Sequence, residues 1–348
     1  MRAVVLCGGE SVERAVSLDS GISVARALID LDYDVSVVDP AADEPFICRS
    51  TRNHDDLPRP TVAADLPAIG TRKSQRNVFS ALTSEAMVAT LRRADLVFPA
   101  LHGGWGGDGH IQAMLEMADI SFAGAGSAAC SLAWDKHSTL RVLRDSGVTV
   151  SRWEVHPAGD CQVRSGVLSM LDDGPVVVKL LAGTSYSTLF LARGADELAA
   201  ASSESAGGED WLISPFLPGR EFTVGVLGDH VLPVVEIECN GPLYDFEAKN
   251  RPGASRRRSP ADVTSAFRVR LQEQALSAHR AVGLGSGEYS RVDFRCDNRG
   301  EPHCLEVNAC PALRTGGGLA AAANALGWTF PKLIEEIARL PPSRLRSA

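Results

Sequence analysis

Arg291-Val292-Asp293-Phe294 and Leu305-Glu306-Val307-Asn308 each alternate polar with apolar residues, the period of a β-strand with one buried and one wet face. Strands are predicted over 287–295 and 302–308. Arg291 and Asp293 share one face of the first, Glu306 and Asn308 one face of the second. Paired as a hairpin, the two strands bring Asp293, Glu306 and Asn308 into an all-oxygen cluster. Such hard ligands suit Mg²⁺, whose octahedron substrate phosphates complete. The same residues would also serve as the plain wet face of a sheet, and taken alone they do not decide between the two. Val292, Phe294, Leu305 and Val307 mark the other face as buried, so the polar face borders solvent or a ligand-filled cleft.

Outward from this hairpin, a helix is predicted over 265–283, with a polar loop over 240–262 that carries the basic run Arg256-Arg257-Arg258. That run reads as solvated surface, with contact to an anionic ligand as the alternative. Strands are predicted at 221–227 and 231–238, and helices after 318. The middle of the chain reads as a smaller α+β unit, with helices at 127–133 and 136–146 and strands at 176–179 and 188–191. The amino-terminal third alternates strands (3–7, 34–38, 95–101) with helices (20–31, capped by Asp19 or Ser20, and 83–93), a βαβ pattern that predicts a parallel sheet. Residues 41–80 show no sustained periodicity and read as an irregular surface segment. The fold class is therefore α/β and α+β, with domains expected at 1–125, 126–213 and 214–340.

With 35 Lys and Arg against 43 Asp and Glu, the net charge is −8, a poor basis for sequence-independent nucleic-acid binding. A composition 45% hydrophobic and 22% charged is that of a soluble globular protein. Only Ala3–Cys7 are apolar before Gly8-Gly9, too few for a signal sequence, and no run reaches the roughly 18–20 residues of a membrane span. The cysteines (7, 48, 130, 161, 239, 296, 304, 310) form no C-x-x-C pair and no metal spacing, and read as reduced thiols in a cytoplasmic protein.

Three further segments carry potential chemistry. Lys179 ends the apolar run Val176-Val177-Val178 before a small-residue loop, where a cation and loop N–H groups meet phosphates; a surface lysine before a turn is the plainer alternative. The Walker spacing is absent. His102-Gly103-Gly104-Trp105-Gly106-Gly107 follows a predicted parallel strand, the end at which open α/β sheets bind ligands. Gly8-Gly9-Glu10-Ser11-Val12-Glu13 lacks a dinucleotide fingerprint, which weighs against a dehydrogenase, but Glu13 would suit an ammonium group.

Taken in order, Gly8 to Ser17 (GGESVERAVS), Phe98 to Gly103 (FPALHG), Asp135-Lys136, Gly219 to Val224 (GREFTV), Tyr244 to Lys249 (YDFEAK), RVDF and EVN resemble the D-alanine–D-alanine ligase family of the ATP-grasp superfamily over nearly the whole chain. The resemblance implies a three-domain ATP-grasp fold with an amino-terminal Rossmann-like sheet and ATP between the second and third domains. It implies that one amino acid's carboxylate is phosphorylated by ATP and the acyl phosphate is then taken by a second amino acid's amine, a step in peptidoglycan synthesis. In these terms Lys136, Lys179, Thr184 and Lys249 would hold ATP phosphates, and Glu221 the ribose. Asp293, Glu306 and Asn308 would bind two Mg²⁺, with Mn²⁺ as an alternative ion. Arg291 would stabilise the phosphoryl group and oxyanion. Glu13, His102, Ala312 and Arg314 would contact the amino acids, with Glu13, Thr184, Lys249 and Arg291 as the catalytic set. The expected partners are ATP and amino acids, with neither nucleic acid nor membrane; a homodimer is the family's habit.

The chain departs from the family pattern at Asn250 (a tyrosine in the family), Thr184 (a serine), Tyr186, Ser214, Gly107 and the run Cys310-Pro311-Ala312-Leu313-Arg314-Thr315-Gly316-Gly317-Gly318, where a serine is missing near Gly317. Altered donor or acceptor amino acids, as in secondary metabolism or resistance, and a catalytically silent nucleotide-binding regulator, remain the alternatives at this stage.

Overall fold

The computed structural model describes residues 1–58, 76–158, 163–183, 189–198, 208–251 and 253–341. Three sheets organise them.

The first comprises β1 (Arg2–Leu6), β2 (Asp34–Val38), β3 (Phe46–Thr51) and β4 (Leu96–Pro99) in the order β3-β2-β1-β4. β1 runs parallel to both β2 and β4, and β3 is an antiparallel edge. Alternate residues of β1 enter different cores. Ala3 and Val5 pack with α1 (Arg14–Asp30), whereas Val4 and Leu6 pack with Leu82, Met87, Leu91 and Leu115 of α2 (Arg76–Thr83), α3 (Glu85–Arg92) and α4 (His110–Met117). A strand covered on both faces needs an unbroken apolar run, which is why AVVL reads as it does. Three expectations need correction. α1 starts at Arg14, so Asp19 and Ser20 lie inside it; Ser20 is buried there and bonds tertiary partners instead of capping. β3 and the first residues of α2 fall within 41–80, because a half-exposed edge strand gains its order from β2 and not from its own pattern. Most of the remainder of that segment, 59–75, lies outside the described residues.

The second sheet, β5 (Glu154–His156), β8 (Trp211–Pro215), β6 (Val176–Leu180) and β7 (Phe190–Ala192) in that order, is antiparallel throughout. α5 (Ser127–Trp134) and α6 (Lys136–Asp145) precede it, and α7 (Ser165–Asp173) backs it with Val167 and Met170. β5, α7 and β8 add to the elements the sequence predicted.

The third sheet runs β12 (Ser255–Arg258), β11 (Val235–Cys239), β9 (Glu221–Leu227), β13 (Tyr289–Cys296), β14 (Pro302–Asn308), with β10 (His230–Val231) beside β9. The single strand expected over 231–238 is split into β10 and β11 around Pro233, which has no N–H to donate. The expected loop over 240–262 contains α8 (Phe246–Asn250) and β12. Opposite charges across the strands make a strand of the arginine run: Arg258 lies opposite Glu236 and Arg256 opposite Glu238. Arg258 also reaches Glu238 Oε1 at 3.1 Å.

α9 (Ser265–Ala281) covers the third sheet, followed by α10 (Gly318–Asn324) and α11 (Phe330–Arg339). α11 returns to the first sheet, burying Leu333, Ile334 and Ile337 with Ala3, Val5, Ile22 and Leu28. Among the described residues, no helix is long and apolar enough to cross a membrane.

Candidate active site

β13 and β14 pair as a hairpin that sets Asp293 opposite Glu306 and Arg291 opposite Asn308. The Asp293 carboxylate accepts from Thr223 Oγ1 (2.6 Å) and from Arg291 Nε (2.9 Å) and Nη2 (2.6 Å). Arg291 Nη2 lies 3.7 Å from Glu306 Oε1. Arg291 is half-buried, and Asp293 and Glu306 keep its guanidinium charged. Burial works against the charged form of Glu306, but Lys249, Lys136, Lys179 and Arg291 outweigh it and hold the carboxyl down at about 2. Asn308 Oδ1 accepts from Cys310 N at 3.0 Å, turning the chain after β14.

Three lysines converge on Glu306 from separate elements. Lys136 opens α6 behind Asp135, whose side chain caps the helix by accepting from Ser138 N at 2.6 Å. Its ammonium donates to the Gly183 carbonyl, and burial lowers its pKa to about 8 against the pull of Glu306. Lys179, on β6, is buried, and that burial lowers its pKa too. Lys249, on α8, stands 5.3 Å from the centre of the Tyr244 ring. Amines gathered round one carboxylate form a site for polyanions, since an arriving phosphate relieves the mutual repulsion of the cations.

The amino-terminal loop closes the other side. Ser11 Oγ donates to the His102 carbonyl and accepts from Glu13 N (3.1 Å), which fixes Glu13 beside Gly103. Gly103 has φ +68°, and a Cβ there would stand 2.8 Å from Ser11 Oγ and 3.0 Å from Glu13 Oε2. The buried His102 ring has both nitrogens occupied: Nε2 lies 2.9 Å from Ser20 Oγ, and the ring also bonds the Cys310 backbone. Ser20 Oγ in turn accepts from Leu313 N at 2.9 Å. Burial pushes the His102 pKa down to about 4, so the ring is neutral and ties α1 to the 308–318 loop. Arg314, in that loop, lies 3.7 Å from Asp19. Burial raises the Asp19 pKa, with Arg314 opposing.

Two adjoining clefts result. The larger is lined by Glu13, His102, Lys136, Lys249, Arg257, Arg291, Glu306, Asn308, Ala312 and Arg314, and also by Gly107. The smaller is lined by Lys179, Ser214, Glu221, Asp293 and Arg295 with apolar Val177, Phe216, Leu217 and Leu305. Tyr244, Lys249 and Glu306 border both. In the smaller, Glu221 lies 3.2 Å from Arg295, yet burial raises its carboxyl to about 7. Thr184, Tyr186 and the side chain of Asn250 lie outside the described residues.

Sequence reading missed Ser20, Tyr244, Arg257 and Arg295 as site residues. For Arg257 the signal was the arginine run itself, for which contact with an anionic ligand stood only as the alternative to solvated surface. For Ser20 there was none, since its partners are 82 and 293 residues away. Cys310 Sγ packs 3.5 Å from Cys130 Sγ; among the described residues the cysteines are free, and Cys161 is not among them.

Comparison with known proteins gives a consistent result. A family model described as D-ala D-ala ligase N-terminus matches residues 2–125, and one described as D-ala D-ala ligase C-terminus matches 144–339. A D-alanine–D-alanine ligase of Synechococcus sp. (strain JA-3-3Ab) is 32% identical, covering 97% of this chain and 92% of that protein. One of Desulforudis audaxviator is also 32% identical, covering 99% of both. The D-alanine–D-alanine ligase from Bacillus anthracis complexed with ATP superposes with a TM-score of 0.73 at 20% identity, over 98% of this chain and 97% of that one. At that identity the likeness speaks for the fold.

Proposed function

From its place in the D-alanine–D-alanine ligase family, to which this chain belongs, we propose that it joins two molecules of D-alanine at the expense of ATP. The observation that carries this reading is the cation-ringed Glu306 at the junction of two clefts, the larger bearing Glu13, Arg257, Arg291 and Arg314, the other flanked by apolar walls. The smaller cleft takes the nucleoside, with Glu221 toward the ribose, and Lys136, Lys179 and Lys249 take the phosphates. That cleft lies between the second and third sheets, which supports units at 1–125, 126–213 and 214–340 with ATP held between the last two.

Asp293 and Glu306, opposed across one strand pair, and the Asn308 amide oxygen give an all-oxygen donor set. Among the described residues no group of three His, Cys, Asp or Glu side chains could hold a metal ion by itself. The all-oxygen donor set suits Mg²⁺, or Mn²⁺, which would be carried in on phosphates and held by one or two carboxylates. The bound ions would offset negative charge on the β- and γ-phosphates.

Glu13 receives the ammonium of the first D-alanine, which places its carboxylate toward Arg291. Attack of that carboxylate on the γ-phosphorus forms the acyl phosphate and releases ADP. Arg291 meets the charge that accumulates on the transferring oxygens, and its ion pair with Asp293 holds it there beforehand. The amine of the second D-alanine then adds to the acyl carbon. The resulting oxyanion faces Arg291 and the Ala312 N–H, and its collapse expels phosphate, which takes up the proton that the amine gives up. Lys249 and Tyr244, close to α8, cover the junction and keep water from the acyl phosphate. Ala312 contributes through its backbone. We place the reaction in the cytoplasm, as a supply of dipeptide for peptidoglycan, by a protein that acts as a homodimer.

Incubating the purified chain with ATP, Mg²⁺ and single amino acids tests this directly. ADP, phosphate and D-alanyl-D-alanine should appear in equal amounts with D-alanine. ADP release with another amino acid and none with D-alanine would refute the substrate.

A further inference from the structure

We propose that Arg257 holds the α-carboxylate of the second amino acid, the one whose amine attacks; the assignment rests on the ligase reading above. Three observations lead to it.

The first is direction. Along β12 exposure alternates: Arg256 and Arg258 are exposed, and Ser255 and Arg257 are half-buried. Ser255 Oγ donates to the Ala248 carbonyl and so ties β12 to α8, while Arg257 lines the large cleft. The second is spare charge. A second amino acid brings a carboxylate into a cleft where most cations are already engaged: Arg291 with Asp293 and Glu306, Arg314 with Asp19, the lysines around Glu306. Arg257 donates one N–H to the Tyr244 hydroxyl. No carboxylate among the described residues is within ion-pair distance of it. A guanidinium has five N–H donors in a planar fork that matches a carboxylate.

The third is the opposite wall. Apart from Arg314, which Asp19 engages, the 312–318 loop presents Ala312, Gly317 and Gly318 to the cleft, none of which carries a side-chain donor. A Cβ on Gly318 would lie 3.8 Å from Arg291 Cδ, so this wall stands close to the reacting region. With Arg314 turned to Asp19, Arg257 across the cleft offers a strong donor not held by a carboxylate, and α10, which follows the loop, packs beside β12. Tyr244 fixes the guanidinium on one side, and the same ring faces Lys249, so carboxylate capture and phosphate capture share one support.

Arg257→Gln and Arg257→Lys test the assignment on the intact protein. Initial rates with D-alanine, analysed for two binding sites, should show the second-site KM raised about tenfold or more in R257Q, a loss of ~1.4 kcal/mol in binding. The first-site KM and the KM for ATP should stay near wild type, and R257K should recover part of the loss. Hydroxylamine, an acceptor amine without a carboxylate, traps the acyl phosphate as a hydroxamate. The loss with D-alanine as acceptor should exceed the loss with hydroxylamine by about the same factor of ten. An unchanged second-site KM, or equal losses with both acceptors, would overturn the role. A wild-type protein that forms neither dipeptide nor hydroxamate from D-alanine would instead overturn the ligase reading, and this assignment with it.

Discussion

Arg291, Asp293 and Glu306 show how far single residues can be read. Strand alternation alone put Asp293, Glu306 and Asn308 on one polar face, because the chemistry and the period are both local. Their charge states were not local. Glu306 is held ionised by Lys136, Lys179 and Lys249, which come from different elements, and no window of sequence contains them all. Arg291→Ala should lower kcat by about 10²–10³, the scale of losing one preorganised donor to a developing oxyanion. Stopped-flow or coupled ADP-release rates would measure it. His102 gives a prediction of another kind. Its pKa falls from 6.5 in the unfolded chain to about 4 in the fold. The unfolded state therefore binds a proton first, and the contribution of this site to stability is whole above pH 6.5 and is lost as pH falls toward 4. The loss is on the order of 3 kcal/mol. The wild-type melting temperature should drop more steeply between pH 7 and 5 than that of His102→Asn.

At the scale of elements, strands with long partners were legible and short edge strands were not. β9 and β14 match their predicted bounds: β9 is buried along nearly its whole length, and β14 pairs with β13 over most of its own. β3 and β5 are short or half-exposed edges, and a neighbour's hydrogen bonds, not their own pattern, order them. β12 is the sharpest case, since three arginines become a strand only opposite Glu236 and Glu238. The loop before α4 depends on Gly103 at φ +68°. Gly103→Ala should cost about 1–3 kcal/mol through strain and displace Ser11 and Glu13. Denaturant titration reads the first effect, and a raised first-site KM for D-alanine the second. Far from both clefts, Thr264 caps α9 by accepting from Phe267 N at 3.3 Å. Thr264→Ala should cost about 1 kcal/mol with unaltered kinetics, a control for effects that act through stability alone.

For the whole molecule, the return of α11 to the first sheet decides the assembly. Ile334 is fully buried among residues of β1 and α1. Ile334→Ala should destabilise the amino-terminal sheet by about 2–5 kcal/mol, seen as loss of hydrogen-exchange protection in 3–6 and 22–28. Mg-ATP, binding between the second and third sheets, should raise the melting temperature, with about 2.7 kcal/mol of stabilisation at a hundredfold excess over its Kd. Glu306→Gln should blunt that shift, as calorimetry would show.

By itself the sequence determined the class of fold, the hairpin with one polar face and the family, because each rests on periodicity or on motifs of a few residues. Tertiary structure alone decided that His102 is a neutral tie and not a cation, that Arg314 is engaged by Asp19, and that Arg257 faces the cleft. Those properties depend on burial and on partners far away in the chain, and Coulomb and desolvation energies act through space.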